Sequence, residues 1–241
     1  MLRRTEGIVL KTFPFGEADL IVTFLTGSYG IVKTFAKSPR KTRSRFGSSL
    51  EPLTHSKISF WGREDAALPR LTQADIIHPF DTIRSGLQCF LKASEVLELT
   101  LIFMPERDAC AGVYGLLVST LHAMEADCGA GLRVLHYKLK LLDSVGYLPR
   151  LKGCGRCGGD SESFHLSQGS VVCDACSKGS AVTFMLSPGV ISLASNLLVW
   201  DTAKIQRIKP ADGLVMELSR LLDEHVKYVT ERELKTRAFR G

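Results

Sequence analysis

The sequence predicts an α+β protein in which a small N-terminal β-barrel is followed by a helical domain that a four-cysteine module interrupts. Three observations predict it. The first 80 residues carry five short β-branched and aromatic segments between turn-forming residues, the apolar period becomes helical after Phe80, and two Cys-x-x-Cys pairs fall between helical stretches. The expected divisions are 1–80 for the barrel, 81–150 for the first part of the helical domain, 151–182 for the cysteine module and 183–241 for the second helical part.

The first three strands are read at 7–13, 20–25 and 30–35, rich in Ile, Val, Thr and Phe and separated by Pro14-Phe15-Gly16 and Thr26-Gly27-Ser28. Further strands are expected at 55–61 and 68–77. Five short strands with no helical period suggest a closed or half-closed barrel, and an OB-fold is the natural candidate.

Helices are expected at 86–104, ending at Pro105, at 109–126, and at 131–147, where Leu132, Leu135, Leu139 and Leu142 step by three, four and three. These three are expected to pack together. After the cysteines, Ser187-Pro188 pairs an N-cap residue with proline at N1 and opens a helix through Trp200. A last helix runs from Pro210 to about Thr230, with Leu214, Leu218, Leu221, Leu222 and His225 on one face. The segment from Glu231 has alternating charges and no apolar face, and is expected to fray.

Cys154-Gly155-Arg156-Cys157 and Cys173-Asp174-Ala175-Cys176 are separated by 15 residues, which is zinc-site spacing. Each Cys-x-x-Cys step converges two thiolates on one ion, and Gly155, Gly158 and Gly159 are read as supplying the tight turns. Four thiolates close a tetrahedral shell, leaving no position for water or substrate, so one structural Zn2+ is expected rather than a catalytic one. Disulfides, redox pairs and unligated thiols are the competing readings. His165 lies between the pairs, where four thiolates leave it no place. Cys89, Cys110 and Cys128 sit among apolar residues, are read as small buried hydrophobes and are given no role.

The chain has 31 Lys and Arg against 25 Asp and Glu, a formal net charge of +6. Residues 1–80 hold 12 against 7, so nearly all the excess belongs to the barrel. Lys33, Lys37, Arg40, Lys41, Arg43 and Arg45 form a run with no acidic residue from Leu20 to Leu50. A solvated loop is the ordinary alternative, but an unbroken single sign fits a phosphate backbone better than a small acid. Of the interleaved aromatics Phe13, Phe15, Tyr29, Phe35 and Phe46, the choice for base stacking falls on Phe46 and Tyr29.

Several function classes are excluded. The longest nearly apolar stretch, 190–200, is far below the ~18 residues of a membrane span, and Lys11 ends the first apolar run before a secretory core of about 7–15 residues can form. No membrane association and a cytosolic setting are expected. There is no H-E-x-x-H, no G-x-S-x-G and no H-x-E to partner the cysteines; Gly27 to Thr34 lacks the Gly-Lys step of a phosphate loop and reads as a hairpin turn. No enzyme is expected.

Taken together, these residues resemble the bacterial RecO family of recombination mediators. The matching pieces are Gly7-Ile8-Val9-Leu10, Gly16-Glu17-Ala18-Asp19 followed by Ile21-Val22-Thr23-Phe24-Leu25-Thr26, Ala36-Lys37 leading into Arg40-Lys41-Thr42-Arg43-Ser44-Arg45, then Lys138-Leu139-Lys140-Leu141-Leu142 and Gly146-Tyr147-Leu148-Pro149 running into the cysteines. The resemblance implies an OB-fold, a helical domain and a zinc module. It implies binding of single- and double-stranded DNA, strand annealing, and help for RecA in replacing single-strand-binding protein, with RecR as partner, in the nucleoid-associated cytoplasm. It further implies that the acidic, Phe-ended tail of single-strand-binding protein docks on the helical domain, where Arg133, Tyr137, Lys138 and Lys140 are the candidate residues. A zinc-ribbon regulator reading specific DNA sequences and a non-catalytic protein adaptor are the rival readings.

Overall fold

A computed structural model describes residues 1–40, 46–63, 66–127, 131–179 and 181–239. The chain forms two compact units, 1–128 and 129–241.

In the first unit, β1 (Leu2–Phe15), β2 (Asp19–Thr26), β3 (Gly30–Ala36), β4 (His55–Trp61) and β5 (Arg70–His78) close a barrel in the order β1-β2-β3-β5-β4. β1 makes closure possible because it serves two neighbours. Its first half pairs β4, from Leu2 opposite Trp61 to Ile8 opposite His55, and its second half pairs β2, from Gly7 opposite Thr26 to Phe15 opposite Asp19. The register slips between Val9 and Lys11, a bulge that bends the strand from one partner to the other. A parallel contact of Phe35 with Arg70 joins β3 to β5. The interior holds Val9, Val22, Phe24, Val32, Phe46, Ile58, Phe60 and Leu71, so the period-2 apolar residues of the strands meet inside.

α1 (Asp81–Ser85), α2 (Leu87–Phe103) and α3 (Ala111–Ala126) follow; α2 packs on β1 and α3 on β2. Gly30, at φ 61, lies so close to the Asp108 backbone that a Cβ has no room, and Arg107 N donates to Ile31 O at 3.0 Å. The loop between α2 and α3 is thereby fastened to the start of β3.

The second unit contains α4 (Gly131–Ser144), a three-stranded sheet of β6 (Ser163–His165), β7 (Ser170–Val171) and β8 (Phe184–Met185), and the short α5 (Asp174–Ser177). α6 (Pro188–Val199), α7 (Thr202–Gln206) and α8 (Asp212–Thr230) complete it, with α4 packed against all three. The expected cap is present: Ser187 Oγ accepts from Val190 N at 3.3 Å, with Pro188 opening α6. Glu217 of α8 takes hydrogen bonds from Ser187 N and Oγ, both at 3.0 Å, which ties the start of α6 to α8.

Two expectations need correction. The helices at 87–103, 111–126 and 131–144 do not pack as one group: α2 and α3 cover the barrel, whereas α4 joins α6 and α8. The change of period at Phe80 marks a change of secondary structure, not of compact unit, because the apolar faces of α2 and α3 need the barrel to cover them. The segment after α8 does not fray either. Leu234 is buried, 235–239 form a 3-10 turn, and Arg237 reaches the carboxylates of Asp223 and Glu224 at 3.8 and 3.4 Å.

Candidate nucleic-acid interface and metal centre

The two Cys-x-x-Cys steps form facing knuckles. In the first, Gly158 N donates to Cys154 O at 2.9 Å and Cys154 N to Gly159 O at 2.7 Å; in the second, Cys176 N and Ser177 N both donate to Cys173 O at 2.9 Å. Of the three glycines read as turn-formers, only Gly158 is at positive φ, 78°. Gly155 is needed for a different reason, since a Cβ there would stand 2.5 Å from Ser170 Oγ. Arg156 holds the knuckles together: its Nη1 donates to Cys176 O at 2.7 Å and its Nε to Gln168 Oε1 at 3.0 Å.

The four sulfurs lie within 4.8 Å of one another, with Cys157 and Cys173 Sγ 3.6 Å apart. A tetrahedral zinc with Zn–S of about 2.3 Å sets sulfurs about 3.8 Å apart, so the cluster has the right size. Its hydrogen bonding also suits a metal thiolate. Backbone N–H groups, from Cys157 foremost and also from Cys173 and Arg156, pull the Cys154 thiol down to about 6. Hydrogen bonding with Cys173 and Cys157 pushes the Cys176 thiol up to about 12, so four thiolates this close need a cation to ionise together. The residues therefore fit a four-thiolate metal ion. His165 is fully buried and is not among the cluster's ligands. Cys89, read as a lone thiol, is disulfide-bonded.

Of the basic run, Lys33, Lys37 and Arg40 are described and exposed; Lys41, Arg43 and Arg45 lie outside the described residues. Lys33 is not unopposed, because Glu106 from the loop after α2 forms an ion pair with it. The path of the loop is set at its start: Ser38 N donates to Asp19 Oδ1 at 2.6 Å, Arg40 N to Ala18 O at 3.2 Å, and Pro39 is buried.

The structure places the two aromatics chosen for stacking differently. Phe46 is 3 % exposed, in the barrel core, and Tyr29 is half-buried, edge-on to Phe60 at 5.7 Å with the Arg3 guanidinium 5.5 Å from its ring. Of the five aromatics interleaved with the cations, the exposed ones are Phe13 at 59 % and Phe15 at 51 %. Cross-strand register places them in a pattern: Lys11, Thr23 and Lys33 form one row across β1, β2 and β3, and Phe13, Ile21 and Phe35 form the next. Phe15 meets Phe35 edge-on at 5.9 Å. Rings and cations thus share the outer face of β1–β3. At the barrel's edge, a cleft of about 580 Å³ adds Arg3, Arg4, Arg63 and Arg107 beside Lys33. Sequence reasoning missed these cations because strand pairing, not a local run, gathers them.

The four candidates for the tail pocket lie on α4. Arg133, Tyr137 and Lys138 are buried, and Lys140 is half-buried. The Lys138 ammonium, 1 % exposed, pairs with Asp223 of α8, itself 5 % exposed. Burial lowers the Lys138 pKa, and the Asp223 carboxylate opposes that shift.

The first unit thus carries a closed barrel with cations and rings on one outer face, and the second a four-cysteine cluster able to hold a metal ion. Residues 1–80 match the family described as Recombination protein O N terminal, and residues 90–238 match Recombination protein O C terminal. A DNA repair protein RecO from Thermodesulfovibrio yellowstonii is 42% identical over 228 residues, covering 92% of this chain and 91% of that one. DNA repair proteins RecO from Nocardioides sp. and Symbiobacterium thermophilum are 36% and 30% identical, each covering 99% of this chain and 99% and 96% of their own. The chain belongs to the RecO family of DNA repair proteins. Among the described residues, no helix is long and apolar enough to cross a membrane.

Proposed function

We propose that this protein is a recombination mediator that binds single- and double-stranded DNA, anneals complementary strands and assists RecA loading on DNA coated by single-strand-binding protein, with RecR as partner. The observation that carries the reading is the shared outer face of β1–β3, where Lys11, Lys33, Phe13 and Phe15 stand in adjacent cross-strand rows. We read the barrel as an OB-fold, whose strand face and loops commonly take oligonucleotides. Lys33, Lys37 and Arg40 supply phosphate contacts, and the run continues in sequence through Lys41, Arg43 and Arg45. Phe13 and Phe15 offer sequence-tolerant stacking.

Annealing of this kind requires no reacting group. Neutralising phosphates on two strands lowers their repulsion, and base pairing supplies the rest. One Zn2+ on Cys154, Cys157, Cys173 and Cys176 is structural in this reading, since a filled thiolate shell excludes substrate. The acidic tail of single-strand-binding protein is assigned to the second unit, with Lys140 as the α4 cation that faces outward in part.

The test is the annealing rate of two complementary strands coated with bacterial single-strand-binding protein. Acceleration that fades with salt is expected. No acceleration by folded, zinc-loaded protein overturns the mediator reading.

A further inference from the structure

A third cluster lies on the first unit, apart from the β1–β3 face and the cysteines. His78 ends β5, while His122 and Glu125 stand on one side of α3 at i and i+3. One ligand atom from each residue lies within 4.8 Å of the others. His78 Nε2 is 2.7 Å from Glu125 Oε2, and His122 Nδ1 is 4.0 Å from the same oxygen.

The imidazoles are held in place from behind. The buried Phe80 ring sits 4.5 Å from the His78 ring and 4.9 Å from the His122 ring, and the two imidazoles are 5.0 Å apart. Phe80 adopts φ 53, a left-handed conformation that a phenylalanine takes only when its surroundings enforce it. The nearby His55 is committed elsewhere, with Nε2 2.8 Å from Tyr114 Oη and 3.8 Å from the Glu6 carboxylate.

A simple hydrogen bond accounts for His78 and Glu125, but not for a second imidazole brought to the same oxygen by the same aromatic wedge. Two imidazole nitrogens and one carboxylate oxygen are a recurrent ligand set for divalent transition metals. Ligands at about 2.0–2.2 Å in tetrahedral array stand about 3.3 Å apart, between the 2.7 and 4.0 Å found here. His122 is half-exposed, which gives an ion an entry path and leaves its remaining positions to water.

We propose that His78, His122 and Glu125 form a second metal site, taking a borderline divalent ion such as Zn2+, Co2+ or Ni2+ through nitrogen and oxygen ligands. On binding, the ion replaces the hydrogen bond between His78 Nε2 and Glu125, with the neutral imidazole presenting its Nε2 lone pair to the metal and carrying its proton on Nδ1. The ion then fastens the end of β5 to α3.

The test is a Co2+ titration of the full-length, zinc-loaded protein, followed by calorimetry and visible absorption. One further ion per chain is expected, with weak bands of a nitrogen- and oxygen-ligated cobalt and no intense thiolate-to-cobalt band. The event should vanish in His122→Ala and weaken in Glu125→Gln, with the metal-free melting curve of each variant recorded to show that it is folded. A thiolate band would place the cobalt on the cysteines and overturn the proposal. So would an absence of binding, or wild-type binding by His122→Ala.

Discussion

Glu106→Gln is a perturbation whose direction follows from a single contact. Lys33 and Glu106 pair with side chains 45% and 51% exposed, so removing the carboxylate alters stability by no more than about 1 kcal/mol. It also leaves the Lys33 charge for phosphate. Each added contact steepens the dependence of log affinity on log salt by about 0.7 on single strands, so a fourfold rise in salt should cost the variant about 2.5-fold more affinity than wild type. Lys37→Ala/Arg40→Ala should do the reverse, flattening the slope by about 1.4, or about 7-fold over the same range. Phe13→Ala/Phe15→Ala should lower affinity by about 1–3 kcal/mol for each base that stacks, with the slope unchanged, because stacking releases no counterions. Fluorescence anisotropy of a labelled oligothymidylate across a salt series separates the effects. An unchanged slope in both charge variants would refute DNA binding at this face, and unchanged affinity in the phenylalanine variant would refute stacking.

Two further predictions concern the second unit. Lys138→Met removes one of the two cations that face the buried Asp223 carboxylate and should cost up to about 3–5 kcal/mol in urea unfolding, whereas Lys138→Met/Asp223→Leu should recover most of it; equal loss in both would show that the pair itself is not what matters. Burial, followed by the Lys140 charge, lowers the His136 pKa from 6.5 to about 4, so the unfolded chain binds the extra proton between those values. Stability should therefore be complete above pH 6.5 and fall as pH drops from 6.5 towards 4, with His136→Gln flattening that fall in thermal melts at stepped pH; an unaltered pH profile would assign the acid sensitivity elsewhere.

The five strands were legible because each is a short β-branched run bounded by glycine or proline, and the four-cysteine cluster was legible because its members are local pairs. The choice of aromatics was not. Val9 faces the core, and strict alternation from it would turn Lys11, Phe13 and Phe15 inward as well. The slip between Val9 and Lys11 inverts that alternation: Thr12 now faces in, its hydroxyl donating to Leu50 O at 2.6 Å, while Lys11, Phe13 and Phe15 face out. One bulge, invisible in composition, decides which rings meet solvent. The burial of the α4 cations was hidden for a different reason. A basic residue beside a leucine seam reads as solvent-facing, but α4 is enclosed by α6, α7 and α8, and the partner that makes Lys138 tolerable inside lies 85 residues away. The same long-range contacts moved the unit boundary to 128, since neighbours in sequence packed with different partners.

Arg237 gives the last turn of the chain influence over the interior of the second unit. Asp223 faces two cations, Lys138 from α4 and Arg237 from beyond α8, so the buried carboxylate is shared between a helix and the closing segment. Clipping the chain after Leu234 would withdraw one of the two cations facing this carboxylate, which is only 5% exposed. Proteolysis of this closing turn is therefore an electrostatic change at the buried partner of an α4 lysine as well as a local loss of chain.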